Sequence, residues 1–324
     1  MVIRSMTQKR LLKVLLSVIM LTACVFAKTY DLKEGQSVYG DLEFKVYKGE
    51  KDLYELARQY DVAYDVLLAA NPGLDKGEIK LGSVIVLPTK FMLPNVRHKG
   101  MVVNLAERRL YLFRPKENKV DVYPVSIGRD GWETPLGKYK IIEKTKDPTW
   151  FVPKSLYDDQ VAKGVDMPKF IKPGPDNPLG KYSMRLSHPT YLIHGTNDPN
   201  RIGRKVTAGC INMYPEDVEA LFNHTAIDTP VNLINQPMKL AVQDGQMFVE
   251  SHKNDEEWAV NNFLNPETEV ERAMKRQYIR WQKQGGKNDN AIFNLAEKNT
   301  GLPLLVKKLN RGKTHVKSSG RQDS

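Results

Sequence analysis

The cysteine count constrains this chain most. Of 324 residues only Cys24 and Cys210 are cysteines, and Cys24 lies in an apolar run, Val14 to Val25, that follows Arg4, Lys9, Arg10 and Lys13. A basic segment followed by an apolar stretch shorter than the ~20 residues of a membrane-spanning helix reads as an export signal. The body is therefore expected in an oxidising compartment with a single thiol. No disulfide framework can hold it, and the fold must rest on a buried core. Two processing sites compete. Val25-Phe26-Ala27 has small residues at the spacing for cleavage before Lys28, whereas Leu21-Thr22-Ala23-Cys24 resembles a lipobox whose Cys24 would carry a lipid anchor. Thr29-Tyr30-Asp31-Leu32 reads as structure and not as a flexible tether, which favours a signal over 1–27 cleaved after Ala27. Either route places the body in the cell envelope, in the periplasm.

Composition supplies the core, since 41% of the residues are hydrophobic. The formal net charge of +11 is unevenly placed: four positive charges belong to residues 1–27 and a net five to residues 307–324, leaving two for the folded middle. A basic groove for nucleic acid is not implied. From Lys307 onward the tail is basic and short of apolar residues, the pattern of a disordered end.

Residues 43–88 read as strand, helix, helix, strand. Phe44-Lys45-Val46 alternates, Leu53, Leu56, Ala57 and Tyr60 follow helical spacing, Tyr64 to Asn71 forms a second helix stopped by Asn71-Pro72-Gly73, and Val84-Ile85-Val86 closes the unit. In order and spacing this unit resembles a LysM domain, through Gly49, Leu56-Ala57, Tyr60-Asp61-Val62, Leu67, Asn71 and Leu81-Gly82. The resemblance implies binding of N-acetylglucosamine-containing glycan through the loops after Gly49 and from Asn71 to Gly77, with a plain structural spacer as the alternative.

After a linker, Phe91 to Asn95, residues 97–235 read as mostly β. Met101 to Leu105 and Leu110 to Phe113 form a hairpin, Val120 to Ile127 a third strand and Tyr139 to Ile142 a fourth. Residues 145–180 are rich in proline and show little periodicity, so a long draped loop is expected. Strands resume at Tyr182 to Leu186 and Tyr191 to His194. Pro215 to Phe222 is a helix with proline at its first position and acids in its first turn, and Val231 to Ile234 closes the sheet. Residues 236–306 follow as a hairpin about Asp244-Gly245, a helix capped by Asn265-Pro266 with Val270, Met274, Tyr278 and Trp281 on its apolar stripe, and a short helix near Asn290 to Lys298. These stripes read as packing surface.

The chemistry lies at His194-Gly195-Thr196 and at Thr207-Ala208-Gly209-Cys210-Ile211-Asn212, the cysteine sixteen positions after the histidine. A lone cysteine is more often a buried structural residue. Here Gly209 leaves backbone room beside it, and an imidazole ends a strand where the sheet can position it. A free thiol with pKa near 8.5 needs such a base to become a nucleophile at neutral pH.

These two segments resemble the Cys/His signature of L,D-transpeptidases, the YkuD-like domain, and the similarity extends to Thr134-Pro135-Leu136-Gly137 and to Gly174-Pro175-Asp176-Asn177-Pro178-Leu179-Gly180. One departure is Ala208, where the family carries histidine two positions before the cysteine. The resemblance implies a YkuD-like β-sandwich with short helices as the catalytic domain, beside the small α+β unit and an α/β C-terminal extension. It implies Cys210 as nucleophile and His194 as base, with Gly209 and Cys210 N–H groups as oxyanion donors. Gly195 would offer its carbonyl to the histidine, Thr207 would fix the turn, Asn212 would orient the loop or touch substrate, and Tyr182 and Trp150 would line the cleft. The expected substrate is a peptidoglycan tetrapeptide stem attacked at diaminopimelate, with D-Ala leaving and an amine of another stem or of an envelope lipoprotein as acceptor. The family is typically acylated at cysteine by carbapenems. Water as acceptor would make the chain an L,D-carboxypeptidase, and loss of catalysis through Ala208 would make it a peptidoglycan-binding anchor. No cofactor is expected. The remaining histidines, His98, His188, His224, His252 and His315, form no metal spacing with the single cysteine.

Overall fold

A computed structural model describes residues 28–49, 52–74, 79–188, 190–253, 268–286 and 289–308. The expected signal over 1–27 and most of the basic tail lie outside these residues. Among them no helix is long and apolar enough to cross a membrane.

Nine strands build one sheet: β1 (Lys28–Asp31), β2 (Gly100–Asn104), β3 (Arg109–Arg114), β4 (Lys119–Pro124), β5 (Gly137–Lys146), β6 (Tyr182–Leu186), β7 (Leu192–His194), β8 (Ile211–Asn212) and β9 (Pro230–Ile234), in the order β1-β4-β3-β2-β9-β5-β6-β7-β8. The ten-residue β5 pairs with β9 along Gly137 to Lys140 and with β6 from Ile141 onward, with a register shift between Ile141 and Glu143. This irregularity turns the sheet back on itself. Met101, Leu110 and Tyr123 from one half then share a core with Met184, Ile193 and Ile211 from the other. The expected mostly β catalytic domain is thus built on one curled sheet whose two halves share a core. Helix α4 (Pro215–His224) closes the core with Val218 and Leu221; Glu216 in its first turn suits the positive end of the helix dipole.

Other sequence readings are corrected by long-range pairing. β9 does not close the sheet; it lies within it, parallel to β2 and antiparallel to β5. β1 extends the edge by pairing with β4, so the sheet draws on residues well before 97. The strand expected from Val120 to Ile127 stops at Pro124, and Ile127–Gly128 pairs instead with Lys205–Thr207. β2, β3 and β4 are buried almost throughout because both faces are covered. Their outer face packs Val102, Tyr111 and Val122 against Tyr39 and Phe91. The expected linker is therefore buried, with Phe91–Met92 paired to Val38–Tyr39. The expected loop over 145–180 contains the end of β5, a paired Trp150–Phe151 and Phe170–Ile171, and helix α3 (Lys154–Ala162). α3 buries no residue, which is why it has no apolar stripe to read.

In the small unit, strands Glu43–Val46 and Val84–Leu87 pair around helices α1 (Leu53–Gln59) and α2 (Tyr64–Ala70). It packs against the end of α4: Arg58 makes two 2.8 Å hydrogen bonds to Glu216, and the Asp65 N–H donates to the Gly203 carbonyl. Gly203 has φ +82, and a Cβ there would lie 2.1 Å from the Tyr64 nitrogen, so only glycine allows this approach.

The C-terminal hairpin, Met238–Gln243 with Gln246–Ser251, turns through positive φ at Asp244 and Gly245. Leu304–Lys308 adds a third strand, which takes Lys307 and Lys308 out of the expected disordered tail by pairing them with the hairpin. Helix α5 (Glu269–Lys283) is capped by Thr268 in a capping box with Glu271; the expected cap, Asn265-Pro266, lies outside the described residues. Met274 and Trp281 of α5 and Ile292 of α6 (Asp289–Ala296) cover the hairpin's apolar face.

A buried charge cluster fastens this extension to the sheet. The Lys239 ammonium, fully buried, donates to the Met92 carbonyl (2.5 Å) and lies 2.8 Å from Glu107 and 2.7 Å from Glu250. Arg109 and the Tyr111 hydroxyl also donate to Glu107, and His252 lies 2.8 Å from Glu250. Burial pushes the Glu107 carboxyl up, but Lys239 and Arg109 outweigh it and hold it at about 2. Glu107, Glu250 and His252 stand close enough together to hold a metal ion, yet the ammonium already bridges the two carboxylates. Replacing it leaves both carboxylates without that partner. Lys239→Met is expected to lower unfolding free energy by about 3–5 kcal/mol, read as a shifted urea midpoint; an unchanged midpoint would refute this role.

Candidate active site

The site is assembled by a two-residue parallel pairing. Ile193 faces Ile211 and His194 faces Asn212 between β7 and β8. One step earlier, the Leu192 N–H reaches the Cys210 sulfur. The turn before β8 is held by Thr207, whose hydroxyl donates to the Cys210 carbonyl (2.6 Å) and accepts the Gly209 N–H (3.1 Å). Gly209 has φ +104, and a Cβ there would lie 2.5 Å from the Tyr191 ring. Any side chain would collide with the cleft wall.

His194 is buried, and its Nδ1 lies 2.7 Å from the Gly195 carbonyl. A carbonyl only accepts, so Nδ1 carries the proton and Nε2 keeps its lone pair. Cys210 and His194 line one cavity of about 820 Å³ together with Asn212, Trp150, Trp132 and Tyr191. The thiol also lies 3.9 Å from the Thr190 carbonyl.

A sequence model of the YkuD family, described as the L,D-transpeptidase catalytic domain, matches residues 98–233. The chain is 36% identical over 225 residues to "Probable L,D-transpeptidase YcfS" of Escherichia coli, covering 68% of this chain and 70% of that one. It is 37% identical over 203 residues to "Probable L,D-transpeptidase ErfK/SrfK" of the same organism, covering 62% and 65%. This chain belongs to the L,D-transpeptidase family. It is a cysteine L,D-transpeptidase, with a mostly β catalytic domain built on a curled sheet.

Among the residues singled out for an L,D-transpeptidase site, Cys210, His194, Asn212, Thr207 and Trp150 line the cleft, while Gly195 and Gly209 act on it through their backbones. Tyr182 does not line it. It is buried in the core, its hydroxyl donates to Glu219 (2.7 Å), and its ring lies 4.9 Å from Phe222, so it braces α4 against the sheet. β6 alternation turns its side chain inward. Ala208 lines the cleft beside the thiol. Sequence reasoning gave no role to Tyr191, Arg129 or Trp132. Tyr191 packs over Gly209, and the Arg129 guanidinium lies over the Trp132 ring at 5.1 Å while its backbone N–H holds the Thr207 carbonyl. Arg129 and Trp132 lie between the third and fourth expected strands, where no local pattern singles them out.

Burial sets the protonation of the pair. It lowers the His194 imidazole to about 4, against the support of the Gly195 carbonyl. It also raises the Cys210 thiol, against the Leu192 N–H and the Arg185 charge. Both shifts favour a neutral thiol beside a neutral imidazole over an ion pair at rest. A neutral imidazole with a free Nε2 lone pair can take up a proton as a carbonyl is attacked, the chemistry of a general base. Only the neutral form can do so, and this capacity is present above the imidazole pKa and lost as pH falls through it. The acid limb of the acylation rate is expected near pH 4, well below the ordinary histidine value of about 6.5; a half-loss near pH 6.5 would contradict a buried neutral base.

Proposed function

We propose that this chain acylates Cys210 with a peptidoglycan tetrapeptide stem and passes the acyl group to an amine in the periplasm. The observation that carries this reading is that Gly195 fixes the His194 tautomer in the cavity that also contains the thiol. In the first half-reaction His194 Nε2 takes the thiol proton as sulfur bonds to the diaminopimelate carbonyl carbon. The bond to the terminal D-Ala nitrogen then breaks, and the imidazolium returns the proton to that departing amine. An acceptor amine attacks the thioester, loses a proton through His194, and frees the thiolate to be reprotonated. The acceptor is a second stem, giving a cross-link, or a lysine of an envelope lipoprotein. Asn212 Oδ1 is buried in the cleft with no hydrogen-bond partner, which suits it to accept a substrate N–H.

The small unit is read as a glycan-binding LysM-like module. Three adjoining cavities support this. The catalytic cavity meets a second at Glu133, and the second shares Ala106, Arg108 and Lys253 with a third that reaches Leu68, Ala69 and Pro72 of the small unit. A stem in the cleft remains attached to its glycan strand, and this groove gives the strand a path from the thiol to the module. N-terminal residues 1–27 are read as the signal that delivers the protein.

Cys210→Ala is expected to abolish release of D-Ala from a tetrapeptide donor, and His194→Ala to lower it by roughly a hundredfold or more. Chromatography of the products checks both, and a Cys210→Ala protein that still turns over would sink the assignment. For the groove, Cys210→Ala protein is incubated with purified peptidoglycan. Adding Ala69→Trp, which fills the groove at α2, is expected to reduce retention severalfold; equal retention would leave the module a spacer.

A further inference from the structure

Thr134 is buried, and its hydroxyl ties the loop before Cys210 to the Ile127–Gly128 strand. Its hydroxyl accepts the Gly128 N–H at 2.9 Å and donates to the Gly209 carbonyl at 2.8 Å. The Gly209–Cys210 peptide is trans, so the Gly209 carbonyl and the Cys210 N–H point in opposite directions from their shared plane. The carbonyl is drawn towards Thr134, which lines the neighbouring cavity and not the catalytic one. The N–H is thereby turned back towards the cleft that Ala208 and Cys210 line. Among the described residues no group accepts it. Gly209, at φ +104, has the conformational freedom to let this peptide plane rotate. The Thr134 bond removes that freedom.

We propose that Thr134 is a positioning residue: it locks the Gly209–Cys210 peptide so that the Cys210 N–H is held as a donor to the oxyanion that forms on the substrate carbonyl. This rests on the acyl-transfer reading above. Attack of the Cys210 sulfur places the carbonyl electron pair on oxygen, and a fixed N–H stabilises that charge without reorganising. Thr134 touches neither sulfur nor substrate.

The test separates a reaction that forms an oxyanion from one that does not. Thr134→Val replaces the hydroxyl by a methyl of similar size and removes both bonds. Acylation of Cys210 by a carbapenem passes through a tetrahedral oxyanion, whereas alkylation by iodoacetamide displaces iodide at a saturated carbon and forms none. In Thr134→Val the acylation rate is expected to fall roughly a hundredfold while the alkylation rate stays within about twofold of the parent. Thr134→Ser, which keeps the hydroxyl, is expected to retain most of the acylation rate. Equal losses in both reactions would show general disorder of the loop and overturn the proposal, as would unchanged acylation. Should Thr134→Val fail to fold by circular dichroism, Thr134→Ser compared with Thr134→Ala carries the same two readouts. A parent protein that is alkylated but never acylated overturns the acyl-transfer reading itself, and this proposal with it.

Discussion

The parallel pairing of β7 with β8 is the constraint on which the active site depends. Ile193 and Ile211 face each other and are both buried in the core. Strand side chains alternate, so the residues flanking each isoleucine, His194 on one strand and Cys210 and Asn212 on the other, face the opposite side and line the cleft. A slip of one residue would place the imidazole in the core and an isoleucine in the cavity. The hydrophobic effect therefore specifies the catalytic register. A parallel pair also needs a crossover, and here it is braced by Lys205–Thr207 against Ile127–Gly128 and by the backbone bridge between Ser126 and Asn212. The nucleophile's loop is held from both ends before any substrate arrives.

A second constraint acts on the far side of the sheet. Lys239 joins the segment ending at Met92, the turn after β2 that carries Glu107, and the hairpin residue Glu250. Two carboxylates, a lysine and an arginine balance one another in a buried volume. Such a cluster contributes less through net attraction than through the penalty of breaking it, because each charge removed leaves another buried and unpaired. It fixes where the C-terminal extension sits and gives the turn between β2 and β3 a defined shape. Arg108 of that turn then reaches Asp65 in the small unit at 3.6 Å. The extension and the small unit are thus joined through the same turn.

What was legible in the sequence follows from what is local. Cys210 and His194 could be singled out because a glycine before a lone thiol and an imidazole at a strand end are short-range patterns, and the structure brings both to one cavity. Helix α4 was legible from its proline, its acids and its apolar spacing. The Asp244-Gly245 turn was equally plain. The strand order was not, since β9 inserts between β2 and β5 through pairings 90 or more residues apart in the chain, and no local pattern encodes them. α3 gave no periodicity because it buries nothing. The burial of Lys239 has no local signal, because its partners come from segments around residues 92, 107 and 250. Tyr182 shares the inward face of β6 with Met184 and Leu186, and which face is inward depends on how the sheet curls.

Ala208 stands where the resemblance to L,D-transpeptidases implies a histidine. A side chain at 208 lines the cleft, so it influences what substrate meets there. It is not needed to aim the chemistry. The Gly195 carbonyl fixes the imidazole tautomer, the Leu192 N–H meets the sulfur, and Thr207 and Thr134 hold the loop through its backbone. Each of these partners is a main-chain group or a buried threonine, none belongs to residue 208, and all are present with alanine there. A second imidazole would add a polar wall to the cavity and a titrating group beside the thiol. The methyl group adds no charge beside a pair whose neutral forms burial favours, so residue 208 changes the cleft lining while Cys210 and His194 keep their main-chain and threonine partners.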